Sequence, residues 1–174
     1  NPMLMYYNKQ VLEEVGLDPN EPQKLFEAGE WNWDNFQRLT EHITENGKYG
    51  FVAENNALHM FSWVWSNGGA MYNDEGKMVL QENEPAKQAI HYLYENIMNG
   101  NFRYAGALPE GQGPDAMFMS NQTAFVAAGR WFTPMFSENE SLEFDYIPWP
   151  TNTGEHQEPA VIATAYLSVT SDTN

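Results

Sequence analysis

The chain alternates short apolar runs with segments whose apolar residues recur at the helical period. Short apolar or β-favouring runs predict strands at 3–7, 49–52, 78–80, 123–128, 144–148 and 160–169. Apolar residues spaced by three and four predict helices over 9–15, 33–44, 57–66 and 84–98, with shorter helical segments at 115–120 and 130–137. Because helices alternate with short strands, the predicted fold class is α/β, with a small central sheet surrounded by helices.

Polar and glycine residues mark where the predicted elements begin and end. Asn8, Asn32 and Asn83 each precede a helical pattern. Asparagine favours the N-cap position because its side chain accepts a free backbone N–H of the first turn. Asp115 is predicted to cap its helix in the same way, and Gly129 is predicted to break the strand that precedes it.

Composition and charge narrow the possible functions. Hydrophobic residues make up 42% and aromatic residues 14% of the chain, which predicts a folded protein. The formal net charge of -16 repels phosphate backbones and anionic lipids, so nucleic acids and membrane surfaces are not expected as partners. Cysteine is absent, which excludes disulfides and cysteine-ligated zinc, and no run approaches the roughly 18 apolar residues of a membrane span.

No arrangement of residues predicts catalysis, a metal or a cofactor. The acidic pairs at 13–14, 74–75 and 138/140 are adjacent on a helix or lie in turns, where carboxylates are usually solvated. The histidines at 42, 59, 91 and 156 lack metal-ligand spacing, and the chain has neither a glycine-rich phosphate loop nor a nucleophile elbow. We therefore expect a binding protein and not an enzyme.

A series of motifs runs along nearly the whole chain. They are MYYNK at 5–9, EEVGL at 13–17, WNWDNF at 31–36, KYGF at 48–51, WSNGG at 65–69, FMSNQTA at 118–124, GRW at 129–131 and FDY at 144–146 before prolines 148 and 150. In this order they resemble the family 1 extracellular solute-binding proteins, which include maltose- and other oligosaccharide-binding proteins. Two positions depart from the family pattern. Asn121 replaces a frequent glycine but tolerates the same left-handed backbone, and Ala128 replaces a residue that is polar in some members.

The resemblance implies a type II periplasmic-binding-protein-like lobe. Family members have two lobes that close around a sugar and deliver it to the permease subunits of an ABC importer. Residues 1–174 are expected to form one C-terminal-type lobe, with hinge-crossing strands at 1–7 and 160–174, and the N-terminal lobe is expected to be missing from this chain. The start at Asn1 suggests a cut, so an export signal or lipid anchor would lie upstream. The expected location is extracellular or periplasmic, as a lipoprotein.

Sugar binding requires aromatic faces for C–H groups and polar partners for hydroxyl groups. The resemblance places a stacking residue at Trp131, with Phe132 beside it. Helix 57–66 is apolar on nearly every side, which predicts burial or one face on a cleft. At this helix the candidate ligand contacts are Asn55, Asn56, His59, Trp63 and Trp65, and the alternatives are helix capping for the asparagines and core packing for the tryptophans. An accessory carbohydrate-binding domain of an enzyme and a receptor for another solute remain alternative functions.

Overall fold

A five-stranded mixed sheet forms the centre of the fold. The computed structural model describes residues 2–155. Its strands span Met3–Asn8 (β1), Tyr49–Ala53 (β2), Phe102–Tyr104 (β3), Thr123–Gly129 (β4) and Phe144–Ile147 (β5), in the order β3-β2-β4-β1-β5. The helices span Lys9–Glu14 (α1), Glu21–Glu27 (α2), Trp33–Glu45 (α3), Ala57–Ser66 (α4), Glu84–Met98 (α5), Pro114–Met119 (α6) and Thr133–Ser137 (α7). Two 3-10 turns lie at Ala105–Ala107 and Arg130–Phe132. The predicted α/β class is confirmed.

Asparagine side chains begin four of these helices. Asn8, Asn32, Asn56 and Asn83 each adopt an extended backbone and accept the N–H of the residue three positions later at 3.0 Å. Each cap satisfies an N–H that has no partner within the helix, and such a cap typically contributes about 1 kcal/mol. The caps fix the first residue of α4, which determines where its polar first turn faces.

The directions of the strands gather several chain ends at one edge of the sheet. β2 runs parallel to β3 and β4, whereas β1 runs antiparallel to β4 and β5. The carboxyl ends of β2, β3, β4 and β5 therefore share an edge with the start of β1. From β2 the chain crosses to β3, and from β4 it crosses in the opposite direction to β5. Such a change of direction opens a crevice between β2 and β4, the usual ligand position in an open α/β sheet.

Apolar layers cover both faces of the sheet. On one face Phe36 of α3 packs between Phe51 and Phe125, with ring centroids 5.7 and 5.1 Å away. On the other face Tyr6 and Phe136 meet edge to face at 5.2 Å. Because side chains alternate along a strand, β1 contributes to both layers.

The structure corrects several element predictions. The 78–80 run is not a strand, since only Met78 pairs, in an isolated bridge to Tyr72, and its side chain is exposed. Gly129 does not break β4 but is its last residue, paired with Met3. Gly113, and not Asp115, occupies the N-cap of α6. The prediction at 160–169 lies outside the described residues.

Two elements were not predicted, and one backbone expectation is confirmed. The missed elements are α2, which begins with a proline in its first turn, and the three-residue strand β3, which is too short for a periodic signal. Asn121 adopts a φ of 57°, so it takes the left-handed conformation expected from its place in the glycine position.

Candidate functional site

A cavity of about 460 Å³ lies in the crevice between β2 and β4. Its volume falls within the range of small-molecule binding sites. The walls are the segment that leaves β2, the last residues of β4 with the turn that follows, and single residues of β1 and α6. The lining comprises Met3, Glu54, Asn56, Leu58, His59, Asp115, Val126, Ala127, Ala128, Gly129, Trp131 and Phe132. The lining therefore combines aromatic and apolar side chains with the polar side chains of Glu54, Asn56, His59 and Asp115.

Trp131 provides the largest exposed apolar surface of this cavity. Its side chain is 45% exposed. The 3-10 turn that carries it is held to the sheet, because the Arg130 N–H donates to the Pro2 carbonyl at 3.0 Å. Phe132 anchors the turn from the other side by stacking on Phe136 at 5.7 Å. The turn that carries the indole is therefore attached to the sheet, and the exposed indole lines the cavity.

Asn56 and His59 form a linked pair at the start of α4. The Asn56 side chain caps α4 and also lies 2.9 Å from Nδ1 of His59. Nε2 of His59 lies 2.9 Å from the Ala127 carbonyl of β4. His59 thus bridges the two sides of the crevice. The capping role considered for Asn56 is correct, and it leaves the amide nitrogen of the side chain without a described partner.

The protonation of His59 is controlled mainly by its partial burial. Burial lowers the pKa of His59 below its ordinary value, while the hydrogen bond to Ala127 and the charge of Glu54 act in the opposite direction. The neutral imidazole has a single N–H. Oδ1 of Asn56 and the Ala127 carbonyl oxygen are both acceptors, so the neutral ring can donate a hydrogen bond to only one of them at a time.

We expect His59 to make folding stability dependent on pH. Because its folded-state pKa is lowered, its contribution is present above the unfolded value of about 6.5 and is lost as pH falls through the folded value. Melting temperatures measured from about pH 8 to about pH 5 should fall less steeply in His59→Gln than in the wild type. His91→Gln, which alters an exposed histidine of α5, should keep the wild-type slope. Equal slopes in all three proteins would contradict this role.

The other predicted site residues lie away from the cavity. Asn55 is exposed and accepts a hydrogen bond from the Tyr104 hydroxyl at 2.5 Å. Trp65 packs against Phe61 at 5.6 Å, on the part of α4 nearer its end. Trp63 is 1% exposed and packs edge to face on Phe51 at 5.8 Å. Because its indole is enclosed by the core, the structure favours the core-packing alternative for Trp63 over a ligand contact.

Sequence reasoning missed two carboxylates of the cavity, Glu54 and Asp115. Neither forms an ion pair within residues 2–155. Glu54 follows β2 directly, and residues just beyond the carboxyl ends of parallel strands commonly face the ligand. That position could have identified Glu54. Asp115 reaches the cavity from the first turn of α6, which no local pattern indicates.

Within the described part of the chain, two further searches give negative results. No group of three or more histidine, aspartate or glutamate side chains between residues 2 and 155 is arranged to hold a metal ion. No helix in that range has the length and apolar character needed to cross a bilayer.

Comparison with known proteins identifies the class to which this fold and cavity belong. Residues 1–173 match the model of the bacterial extracellular solute-binding protein family, and the chain belongs to that family. A search of the curated proteins finds no match. The predicted family is thus confirmed, and it is a family of extracellular substrate-binding proteins.

Solved structures show the same fold. An ABC substrate-binding protein from Listeria monocytogenes in complex with cycloalternan is 19% identical, with a TM-score of 0.71, and the match covers 87% of this chain and 38% of that one. The cyclic alpha-maltosyl-1,6-maltose binding protein of Arthrobacter globiformis is 21% identical, with a TM-score of 0.66 and the same coverages. UgpB of Mycobacterium tuberculosis in complex with glycerophosphocholine is 19% identical, with a TM-score of 0.64, and the match covers 86% of this chain and 36% of that one.

These matches confirm the predicted type II periplasmic-binding-protein-like fold. They also show that this chain spans less than two fifths of the length of each of these proteins.

Proposed function

We propose that this chain is the sugar-binding C-terminal-type lobe of the substrate-binding component of an ABC importer. The observation that carries the proposal is the exposed indole of Trp131, which lines one cavity together with Asn56, His59 and two carboxylates. An indole can cover the C–H face of a pyranose ring, and the polar side chains can exchange hydrogen bonds with its hydroxyl groups. The ligand is a sugar or oligosaccharide, and the protein performs no catalysis.

The positions of the strand ends support a lobe that is completed by a second one. Met3, at the start of β1, lines the cavity, and β5 ends at Ile147 beside Met5, on the same edge of the sheet. The described chain therefore enters and leaves the sheet at the same edge. We propose that residues 1–7 and 160–174 cross to an N-terminal lobe that closes over the ligand, in a protein that is exported and lipid-anchored and that docks on permease subunits.

A non-sugar solute is the second candidate function, because one similar structure holds glycerophosphocholine. The charges of this cavity favour a neutral ligand over an anionic one. Glu54 and Asp115 line it, and neither a lysine nor an arginine is among its lining residues. A phosphate or uronate group placed there would be repelled by two carboxylates.

We expect the full-length protein to bind a neutral saccharide at one site and to bind its phosphorylated or uronate counterpart about tenfold more weakly. The measurement is calorimetric titration with neutral mono- and oligosaccharides and the anionic counterpart of each one that binds. Glu54→Gln should reduce the difference between the two ligands, whereas Glu75→Gln, an exposed turn acid outside the cavity lining, should not.

Two results would contradict the proposed function. Preferred binding of glycerophosphodiesters or other anions would favour the non-sugar alternative. Continued release of reducing sugar during the titration would instead indicate an accessory domain of a carbohydrate-active enzyme, because a binding protein releases its ligand unchanged.

A further inference from the structure

Gly129 lies buried against the indole of Trp131. A Cβ atom placed on Gly129 would come closer than 3.0 Å to ring carbons Cη2, Cζ3 and Cζ2 of Trp131, a separation that real Cβ atoms essentially never show. Its distances to these three consecutive carbons are nearly equal. A Cβ atom that met the ring edge-on at Cη2 would lie much farther from Cζ3 and Cζ2 than from Cη2. The nearly equal distances therefore place it over the face of the six-membered ring, and this face covers Gly129.

The backbone at this position does not itself require glycine. Gly129 has φ -72° and ψ 151°, an extended conformation that every L-residue adopts readily. It pairs with Met3 as the last residue of β4, and the next N–H donates to Pro2. The close atoms that a Cβ would meet first all belong to the Trp131 side chain. The absence of a side chain at Gly129 therefore makes room for the indole of Trp131.

We propose that Gly129 is a positioning residue that holds the indole of Trp131 flat on the end of β4, so that the opposite ring face stays open to ligand. This inference rests on the proposed function for its effect on binding. A ring packed on backbone loses little further freedom when a sugar stacks on it, which lowers the cost of binding. Any side chain at position 129 would displace the ring toward the cavity.

The test is Gly129→Ala in the full-length protein. We expect sugar affinity to fall nearly as far as in Trp131→Ala, about tenfold to a hundredfold, although the indole is still present. In protein labelled with 5-fluorotryptophan, the ¹⁹F resonance that is absent from Trp131→Ala identifies Trp131. Without ligand, this resonance should shift in Gly129→Ala. An unshifted resonance would overturn the inference, and so would wild-type affinity in Gly129→Ala when Trp131→Ala binds weakly.

The double variant Gly129→Ala/Trp131→Ala is the matched control. Without the indole, the three atoms nearest to the added methyl group are absent, so the double variant should bind and melt as Trp131→Ala does. A further loss of affinity or stability in the double variant would show that Gly129 acts elsewhere, and it would overturn the inference. Should Gly129→Ala fail to fold, a folded double variant would support the inference and an unfolded one would contradict it.

Failure of the inference differs from failure of the proposed function. If Trp131→Ala binds sugar as the wild type does, Trp131 is not the stacking residue and the proposed function fails at this site. The ligand-free ¹⁹F shift still tests whether Gly129 positions the ring. If Trp131→Ala weakens binding and Gly129→Ala does not, only the positioning role is wrong.

Discussion

Replacing Trp131 with alanine in the full-length protein is expected to weaken sugar binding about tenfold to a hundredfold and to leave the fold intact. Stacking on an indole removes apolar C–H surface from water without leaving a polar group unpaired, which contributes on the order of 1 to 3 kcal/mol. The exposed ring contributes little to the core of the lobe. Its loss should therefore change binding and not stability.

Calorimetry and thermal melting of the same protein preparations check this expectation. Tyr94→Ala is a suitable control, since it removes a ring of α5 that is 55% exposed and lies outside the cavity. Tyr94→Ala should bind sugar as the wild type does. A Trp131→Ala protein that binds normally, or that melts well below the control, would mean that the ring serves packing.

Trp63→Ala is expected to have the largest effect on stability, lowering the free energy of unfolding by about 3–5 kcal/mol. The Trp63 ring lies between sheet and helices, edge to face with Trp149 at 5.1 Å and with Phe51 at 5.8 Å. Truncation would leave a large cavity among rings that cannot all move to fill it. A loss of this size is a large part of the roughly 5–15 kcal/mol that stabilises a typical domain.

Denaturant unfolding measures this loss, with Trp131→Ala as the control for removal of an indole from the surface. The midpoint should fall strongly for Trp63→Ala and little for Trp131→Ala. Folded Trp63→Ala protein should retain sugar affinity. A Trp63→Ala protein that is as stable as the wild type but no longer binds sugar would support a ligand contact by Trp63, which the burial of its indole argues against.

Regular local signals predicted most of the fold. Asn32 and Asn83 could be recognised as caps because an asparagine preceded an apolar period, and the structure shows both capping bonds. The strand β3 could not be recognised, because its three residues are held by pairing with β2 and not by any pattern of their own. The fold class follows from many such signals, so single errors did not change it.

The candidate site was predictable where a motif or the start of a helix marked it. Trp131, Phe132, Asn56 and His59 lie together around one cavity. Asp115 is brought there by the path of α6, which depends on tertiary packing. The sequence did not reveal why a glycine stands at position 129. Its context suggested a broken strand, whereas the structure shows an ordinary strand end on which the Trp131 indole packs closely.

The most direct test of a sugar site at Trp131 is a crystal structure of the full-length protein with a bound saccharide. We expect the C–H face of one sugar ring to lie against the open face of the Trp131 indole. We also expect hydroxyl groups of the sugar within hydrogen-bond distance of Asn56 or Glu54, and a second lobe covering the opposite side of the ligand. A saccharide bound away from this crevice, with Trp131 free of contacts to it, would contradict the proposed function.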